Sequence, residues 1–114
     1  MQLKKNKIIQ FNYLKKIMAS KFQTKIKNHF KKEGYTVLNI IKLSDNGYPD
    51  LYCFKKDCID VWIESKEAND TLKELQKERI NELNKAGKIA FCLQSGKGII
   101  FGSKELTKYF EKWI

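Results

Sequence analysis

The stretch from Gly47 to Lys66 reads GYPDLYCFKKDCIDVWIESK, and it decides how the rest of the sequence is interpreted. Two short apolar runs, residues 51–54 and 58–63, flank the polar segment 55–57. Runs of this length around a polar tip predict a β-hairpin. An acid precedes the first run, and an acid and a lysine follow the second. Because charged groups are costly at the ends of buried strands, these three residues need an explanation.

The two acids can lie side by side only in certain hairpin registers. Side chains alternate along a strand, so Glu64 and Lys66 share one face of the second strand. In a hairpin, the residue numbers of two paired residues always add up to the same sum. Asp50 lies on the same face as Glu64 only if that sum is even. A three-residue loop over residues 55–57 gives such a register and sets Asp50 opposite Trp62, close to Glu64. We therefore predict this loop, or a bulge, in place of a two-residue turn.

Acids and lysine in this arrangement are typical of metal-assisted chemistry. Two carboxylates on one sheet face repel each other unless a cation lies between them. Hard oxygen ligands suit Mg²⁺ or Mn²⁺, and the carbonyl of Ser65 could add a third ligand. The ammonium of Lys66 could hold an attacking water or stabilise charge on a phosphate, which favours phosphodiester hydrolysis. A plainer alternative is a turn capped by Asp50 and a surface ion pair between Glu64 and Lys66.

The positive charge of the chain is concentrated near its N-terminus. The 114 residues carry a net charge of +10, and the first 34 residues, with ten lysines and one acid, contribute +9 of it. Such a segment is typical of proteins that bind a polyanion, most often nucleic acid, although a solvated helix surface is the alternative. We expect five lysines of the first helix to contact nucleic-acid phosphates, namely Lys21, Lys25, Lys27, Lys31 and Lys32.

Length and hydrophobic periodicity predict one folded domain. We expect a basic N-terminal extension over residues 1–17 and a single domain over residues 18–114. Helices are predicted at 20–32, at 71–86 and after Ser103, and strands at 35–42, 51–54, 58–63, 88–93 and 99–101. The resulting order, α-β-β-β-α-β-β-α, favours an α/β sandwich with a mixed central sheet.

Two of the predicted helices have clear apolar stripes. The stripe of the helix at 71–86 comprises Leu72, Leu75, Ile80 and Leu83. The last helix carries Tyr109, Phe110 and Trp113 on one side. Packing in the core explains these apolar residues better than a subunit interface does, although both interpretations stay open.

Cysteine and histidine usage argues against a zinc centre. The three cysteines, Cys53, Cys58 and Cys92, form no CxxC motif and lie in apolar runs, so we predict buried free thiols. The lone His29 is predicted to be a surface or part-buried helix residue. No run approaches the roughly 18 apolar residues of a membrane span, and the N-terminus is a poor signal peptide. We therefore expect an intracellular protein that does not use a membrane.

Several segments together resemble one nuclease family. The sequence is similar to the PD-(D/E)xK nuclease superfamily and, within it, to the VRR-NUC branch of virus-type replication-repair nucleases. The resemblance covers residues 19–94 and rests on four segments: Gly47-Tyr48-Pro49-Asp50-Leu51, Trp62-Ile63-Glu64-Ser65-Lys66, Leu75-Gln76 and Ala86-Gly87-Lys88. The aspartate, the Glu-x-Lys and the glutamine positions are fairly specific in combination and weak one by one.

The resemblance implies a fold, a site and an activity. The fold would be a three-layer, restriction-endonuclease-like core, with a mixed sheet of about four to five strands flanked by helices. Asp50, Glu64 and the carbonyl of Ser65 would hold Mg²⁺, or Mn²⁺ in its place. Lys66 would be the catalytic lysine, and Gln76 would lie near the metal. Short members of the family resemble homodimeric enzymes that cut branched DNA such as four-way junctions, in the cytoplasm of bacteria or phage-infected cells.

One position departs from the family pattern. The family often carries a glutamate early in the first helix, whereas residues 20–23 here read SKFQ and offer no acid. Gln23 or a water is expected to take its place. The departure keeps open the alternative that the chain is a catalytically inactive nucleic-acid-binding module on the same fold.

Overall fold

The computed structural model describes residues 21–40 and 46–113, so the predicted N-terminal extension lies outside the described residues. In chain order the elements are α1 (Lys21–Lys32), β1 (Thr36–Asn39), β2 (Leu51–Phe54), β3 (Val61–Lys66), α2 (Glu74–Lys85), β4 (Ile89–Gln94), β5 (Gly98–Gly102) and a 3₁₀-helix (Thr107–Trp113). Both α-helices have 12 residues, and no helix in the described part of the chain is long and apolar enough to cross a membrane.

The five strands form one mixed sheet in the order β1-β2-β3-β4-β5. Only β3 and β4 run parallel; the other neighbouring strands in this sheet are antiparallel. A parallel pair needs a crossover connection, which α2 and the segment before it supply. The predicted α/β architecture with a mixed central sheet is therefore confirmed.

Helices cover the sheet on both faces. Ile26 and Phe30 of α1 and Phe110 of the 3₁₀-helix pack on one face, against Leu51, Cys53, Val61, Ile63, Phe91 and Leu93. On the other face, Leu72 and Ile80 pack against Ala90 and Cys92, with Trp62 and Phe101 at the margin. The molecule therefore has the three layers expected of a restriction-endonuclease-like core.

The hairpin register differs from the prediction by two residues. Tyr52 pairs with Trp62 and Leu51 with Ile63, so the pairing sum is even, as predicted, but larger. The loop spans residues 55–60. Within it, Asp57 adopts a positive φ of 61°, and Ile59 is 54% exposed. Asp50 therefore lies opposite Glu64 and not opposite Trp62, which strengthens the predicted pairing of the acids.

Three other predictions need correction. The second helix begins at Glu74, after a non-helical segment 71–73. Leu75 is 40% exposed because it packs over Gly47 and not in the core. The last helix is a 3₁₀-helix, in which Phe110 is buried and Tyr109 is exposed. Cys53 and Cys92 are buried free thiols as predicted, but Cys58 is exposed in the hairpin loop.

Candidate active site

The candidate site lies where β2 begins and β3 ends. At the two ends of the parallel ladder, the carbonyls of Asp60 and Lys66 accept from Ile89 and Ser95 of the β4 side. Backbone groups alternate in direction along a strand, so those of Ser65 point the other way, toward β2. On that side, the residue opposite Ser65 is Pro49, which lies two residues before the start of β2 at Leu51.

Proline ends the ladder and leaves room for the aspartate side chain. Pro49 has no N–H to donate to the carbonyl of Ser65. The backbone N–H of Ser65 instead donates to Asp50 Oδ1 at 3.1 Å. A carboxylate thus takes the place of a strand partner, and the Ser65 carbonyl points toward the same side as that carboxylate.

Asp50 is held from several directions. Its Oδ2 accepts from Ser65 Oγ at 2.8 Å and from Gln23 Nε2 at 2.9 Å. On the opposite side, its backbone carbonyl accepts from the N–H of Ile40, which continues the β1–β2 ladder. The carboxylate is therefore fixed in position before any ligand arrives.

Glu64 projects from the α2 face of β3, beside the other site residues. It is 6% exposed, and its Oε1 accepts from Gln76 Nε2 at 3.1 Å. Lys66 Nζ lies 3.7 Å from the same oxygen, and the lysine side chain is itself mostly buried. All the residues predicted to hold a metal or catalyse are therefore together: Asp50, Glu64, Ser65, Lys66 and Gln76.

Burial disfavours the ionised form of both carboxylates when no cation is bound. Burial, reinforced by the negative charge of Asp50 and opposed by Lys66, raises the pKa of Glu64 to about 8. Burial also raises the pKa of Asp50, against the opposing effect of hydrogen bonds from Ser65 and Gln23. Two neighbouring buried acids with raised pKa values are typical of a site that takes up positive charge.

The segment before α2 and the helix itself set the position of Gln76. Buried Gln94 of β4 donates its amide N–H groups to the carbonyls of Glu67, Ala68 and Asp70. At the start of α2, Gln76 Oε1 accepts the backbone N–H of Lys73 at 2.9 Å, as in half of a capping box. The same amide thus caps the helix and donates to Glu64.

The turn that precedes Asp50 is docked on the exposed side of α2. Arg79 donates to the carbonyl of Asn46, and Tyr48 donates to Glu82, with the guanidinium of Arg79 4.7 Å from the Tyr48 ring centre. Gly47 has a φ of +88°, and a Cβ there would lie 2.6 Å from Leu75 Cγ. Glycine is needed at this position on both counts.

Two side-chain amides complete the site, and the sequence analysis predicted only one of them. Gln23, considered from the sequence as a substitute for an acid, contacts both Asp50 and Ser65. Asn39 of β1 donates its Nδ2 to Gln23 Oε1 at 2.9 Å and was not recognised. These amides come from distant parts of the chain and follow no motif. Only the position of Gln23, one turn before buried Ile26, could have suggested that it faces the sheet.

The five lysines predicted to bind nucleic acid lie on α1, on different sides of the helix. Lys27 and Lys31 follow Gln23 at intervals of four residues, so they continue the helix side that reaches the site. Lys21, Lys25 and Lys32 lie on the opposite flank of the helix; they are exposed, as Lys31 is, whereas Lys27 is half-buried. His29, part-buried as predicted, has its ring near those of Phe30, Tyr109 and Phe110.

The donor atoms fit a hard divalent cation. Within residues 21–40 and 46–113, no three side chains of histidine, cysteine, aspartate or glutamate cluster as metal ligands. The carboxylates of Asp50 and Glu64 are instead close enough for the charge of Asp50 to raise the pKa of Glu64, and strand alternation directs the Ser65 carbonyl toward the Asp50 side of β3. An all-oxygen set of this size, completed by water, suits Mg²⁺ or Mn²⁺ and not zinc.

Comparison with solved structures gives the class of fold. The chain is similar to a protein described as a VRR_NUC domain, with a TM-score of 0.60 and 19% identity over 82% of this chain and 94% of the other. It is also similar to Hjc, a Holliday junction resolvase from the archaeal hyperthermophile Archaeoglobus fulgidus. In that case the TM-score is 0.52 and the identity 15%, over 66% of each chain. The chain therefore has the fold of VRR-NUC domains and archaeal junction resolvases.

Sequence-based comparisons add nothing to this assignment. No protein-family model matches the chain, and no curated protein is significantly similar to it in sequence.

Proposed function

We propose that this protein is a metal-dependent DNA endonuclease that hydrolyses phosphodiester bonds, with four-way junctions or other branched DNA as its preferred substrate. The observation that carries the proposal is that the Ser65 N–H binds Asp50 and that Lys66 lies beside Glu64, all at the start of β2 and the end of β3. The fold shared with VRR-NUC domains and with a junction resolvase supports it. A homodimer would present two such sites to the two strands that junction resolution must cut.

Each site residue has a distinct part in the proposed chemistry. Asp50, Glu64 and Ser65 would hold Mg²⁺, or Mn²⁺, which when bound lowers the pKa of a water and neutralises phosphate charge. Lys66, next to Glu64, orients the attacking water or stabilises the charge that develops on the phosphate. Gln76 holds the Glu64 carboxylate in place through its amide.

Lysines on α1 would supply affinity for the phosphate backbone. Contacts of this kind are electrostatic and independent of sequence, so binding should weaken steeply as salt is raised. The combination of such contacts with a structure-selective site fits a role in replication, recombination or repair.

Cleavage of a labelled four-way junction, beside a linear duplex of the same sequence, tests the proposal. We expect cutting of the junction with Mg²⁺ or Mn²⁺, slower cutting of the duplex, and none with EDTA. Asp50→Asn, which removes one ligand charge and keeps the side-chain shape, should abolish it. Tight DNA binding without cleavage under any of these conditions would instead support the alternative, an inactive DNA-binding module on a nuclease fold.

A further inference from the structure

The amide pair beside Asp50 has a fixed orientation. Gln23 Nε2 donates to Asp50 Oδ2 at 2.9 Å and lies 3.3 Å from Ser65 Oγ, while Gln23 Oε1 accepts from Asn39 Nδ2. An ionised carboxylate can only accept hydrogen bonds, so the NH₂ group of Gln23 must face Asp50. Asn39 stabilises this orientation because it supplies the donor that Gln23 Oε1 needs.

The hydrogen bonds occupy the two oxygens of Asp50 unequally. Oδ2 accepts from Gln23 and from the Ser65 hydroxyl, whereas Oδ1 accepts only from the Ser65 N–H among the hydrogen bonds of the described residues. A carboxylate offers about four lone-pair positions, so the one left open lies on Oδ1. This oxygen faces the backbone of Ser65, whose carbonyl points toward the same side.

We propose that the Asn39–Gln23 amide pair limits the site to one divalent cation, which binds Asp50 through Oδ1 alone. On the Oδ2 side, the NH₂ group of Gln23 presents partial positive charge where a second cation would need an oxygen ligand. Gln23 and Asn39 are thus positioning residues that set the metal stoichiometry. The inference rests on the proposed function and deepens it.

The amide pair has a second arrangement that gives the hypothesis a sharp test. If the residue at position 39 can only accept a hydrogen bond, Gln23 must turn its NH₂ group toward that residue. Its Oε1 then faces Asp50 and becomes an oxygen ligand for a cation. Asn39→Asp should therefore convert Gln23 from a donor into a ligand without any change to Gln23 itself.

Titration of the full chain with Mn²⁺ in the absence of DNA measures both stoichiometry and affinity. Wild type should bind one ion per chain. In Asn39→Asp, we expect a second ion or an affinity at least about tenfold higher, the size of effect seen when partners of metal ligands change. Gln23→Glu should do the same, and its melting temperature should fall in EDTA and recover with Mn²⁺, since two carboxylates then face each other.

Two controls separate the amide pair from a simple charge effect. Asn28→Asp makes the same amide-to-acid change at an exposed position of α1 and should leave Mn²⁺ binding unchanged. In the double variant Gln23→Ala/Asn39→Asp, the gain should disappear because the amide that was to become a ligand is missing. Persistence of the gain in the double variant would overturn the inference.

The outcomes also distinguish this inference from the proposed function. Two ions per wild-type chain, with metal-dependent cleavage intact, would overturn the one-cation inference and leave the nuclease standing. A wild-type chain that binds no Mn²⁺ and cuts no DNA would overturn both. One ion per wild-type chain, a gain in Asn39→Asp and its loss in the double variant would support both the site and the role of the amide pair.

Discussion

Gln76 and Glu64 are joined by a hydrogen bond of 3.1 Å, from an amide that also accepts the backbone N–H of Lys73 at the start of α2. One side chain therefore links the beginning of a helix to a buried carboxylate of β3. The link explains how a residue 12 positions downstream in the sequence can control the geometry of the site.

Replacement of Gln76 should affect stability and activity together. In Gln76→Ala, the lost capping contact should lower the free energy of unfolding by about 1 kcal/mol. The freed Glu64 carboxylate should weaken Mn²⁺ binding by about tenfold or more. Thermal unfolding and metal titration measure the two effects. Asn81→Ala, which removes an exposed amide from the same helix, should leave Mn²⁺ binding unchanged and should not lower stability, because alanine is the better helix former; equal losses in both variants would contradict the assigned role.

The raised pKa of Glu64 predicts how metal binding depends on pH. Below a pKa of about 8, Glu64 holds a proton that a cation must displace. Affinity for Mg²⁺ should therefore rise by about tenfold per pH unit up to about pH 8 and then level off. Calorimetry in buffers of different ionisation enthalpy should detect the released proton. Glu64→Gln removes this group, and its weaker binding should depend less on pH, with only the raised pKa of Asp50 left to contribute.

The raised pKa of Glu64 also predicts how the stability of the metal-free protein depends on pH. Between the ordinary glutamate pKa of 4.5 and about 8, the folded state binds a proton that the unfolded state has lost. The free energy of unfolding in EDTA should therefore decrease as pH rises through this window and flatten above it. Denaturant titrations at several pH values measure it. A wild-type curve that is no steeper than that of Glu64→Gln would contradict the assignment.

The turn at Gly47 should matter more to the site than other turns. Gly47→Ala combines a positive φ with a Cβ too close to Leu75, so we expect a loss of about 1–3 kcal/mol and weaker Mn²⁺ binding as Asp50 shifts. Gly96→Ala is the matched control, since its φ is +79° but no atom lies within 4 Å of the added Cβ. It should lose some stability and keep full metal affinity.

The lysines of α1 should contribute unequally to DNA binding. We expect the bound strand to follow the helix side that starts at Gln23. Lys27→Ala/Lys31→Ala should then reduce the slope of log binding constant against log salt concentration by about 1.8, because two phosphate contacts are lost. Lys21→Ala/Lys32→Ala removes the same charge from the opposite flank of the helix and should have a smaller effect. Fluorescence anisotropy with labelled DNA at several salt concentrations compares the two. Equal losses would show that only the net charge of α1 matters.

Local patterns in the sequence predicted much of this structure. Alternating apolar residues and turn glycines gave the elements and their order, and the spacing of Asp50, Glu64 and Lys66 gave the acid pair and its lysine. The even register followed from one geometric rule. These features depend on neighbours in the chain, which a single sequence displays directly.

Features that depend on tertiary contacts escaped prediction. The hairpin loop is longer than expected: residues 58–60 lie outside the strand despite their composition, and the Asp60 side chain instead accepts from Tyr52 and Lys88, one on the neighbouring strand and one before β4. The contact of Asn39 with Gln23 joins residues 16 positions apart, and neither local sequence contains a pattern that predicts it. The exposure of Leu75 depends on the turn at Gly47, which is also distant in sequence.

The central claim is that Lys66 belongs to a hydrolytic centre with Asp50 and Glu64, and single-turnover cleavage of a four-way junction by Lys66→Met tests it most directly. The account predicts that Mn²⁺ and DNA still bind while the cleavage rate falls by at least about 100-fold, the cost of losing one charge-stabilising group. Lys97→Met, which removes an exposed lysine from the β4–β5 turn, should cut at the wild-type rate. Cleavage by Lys66→Met at the wild-type rate would contradict the account.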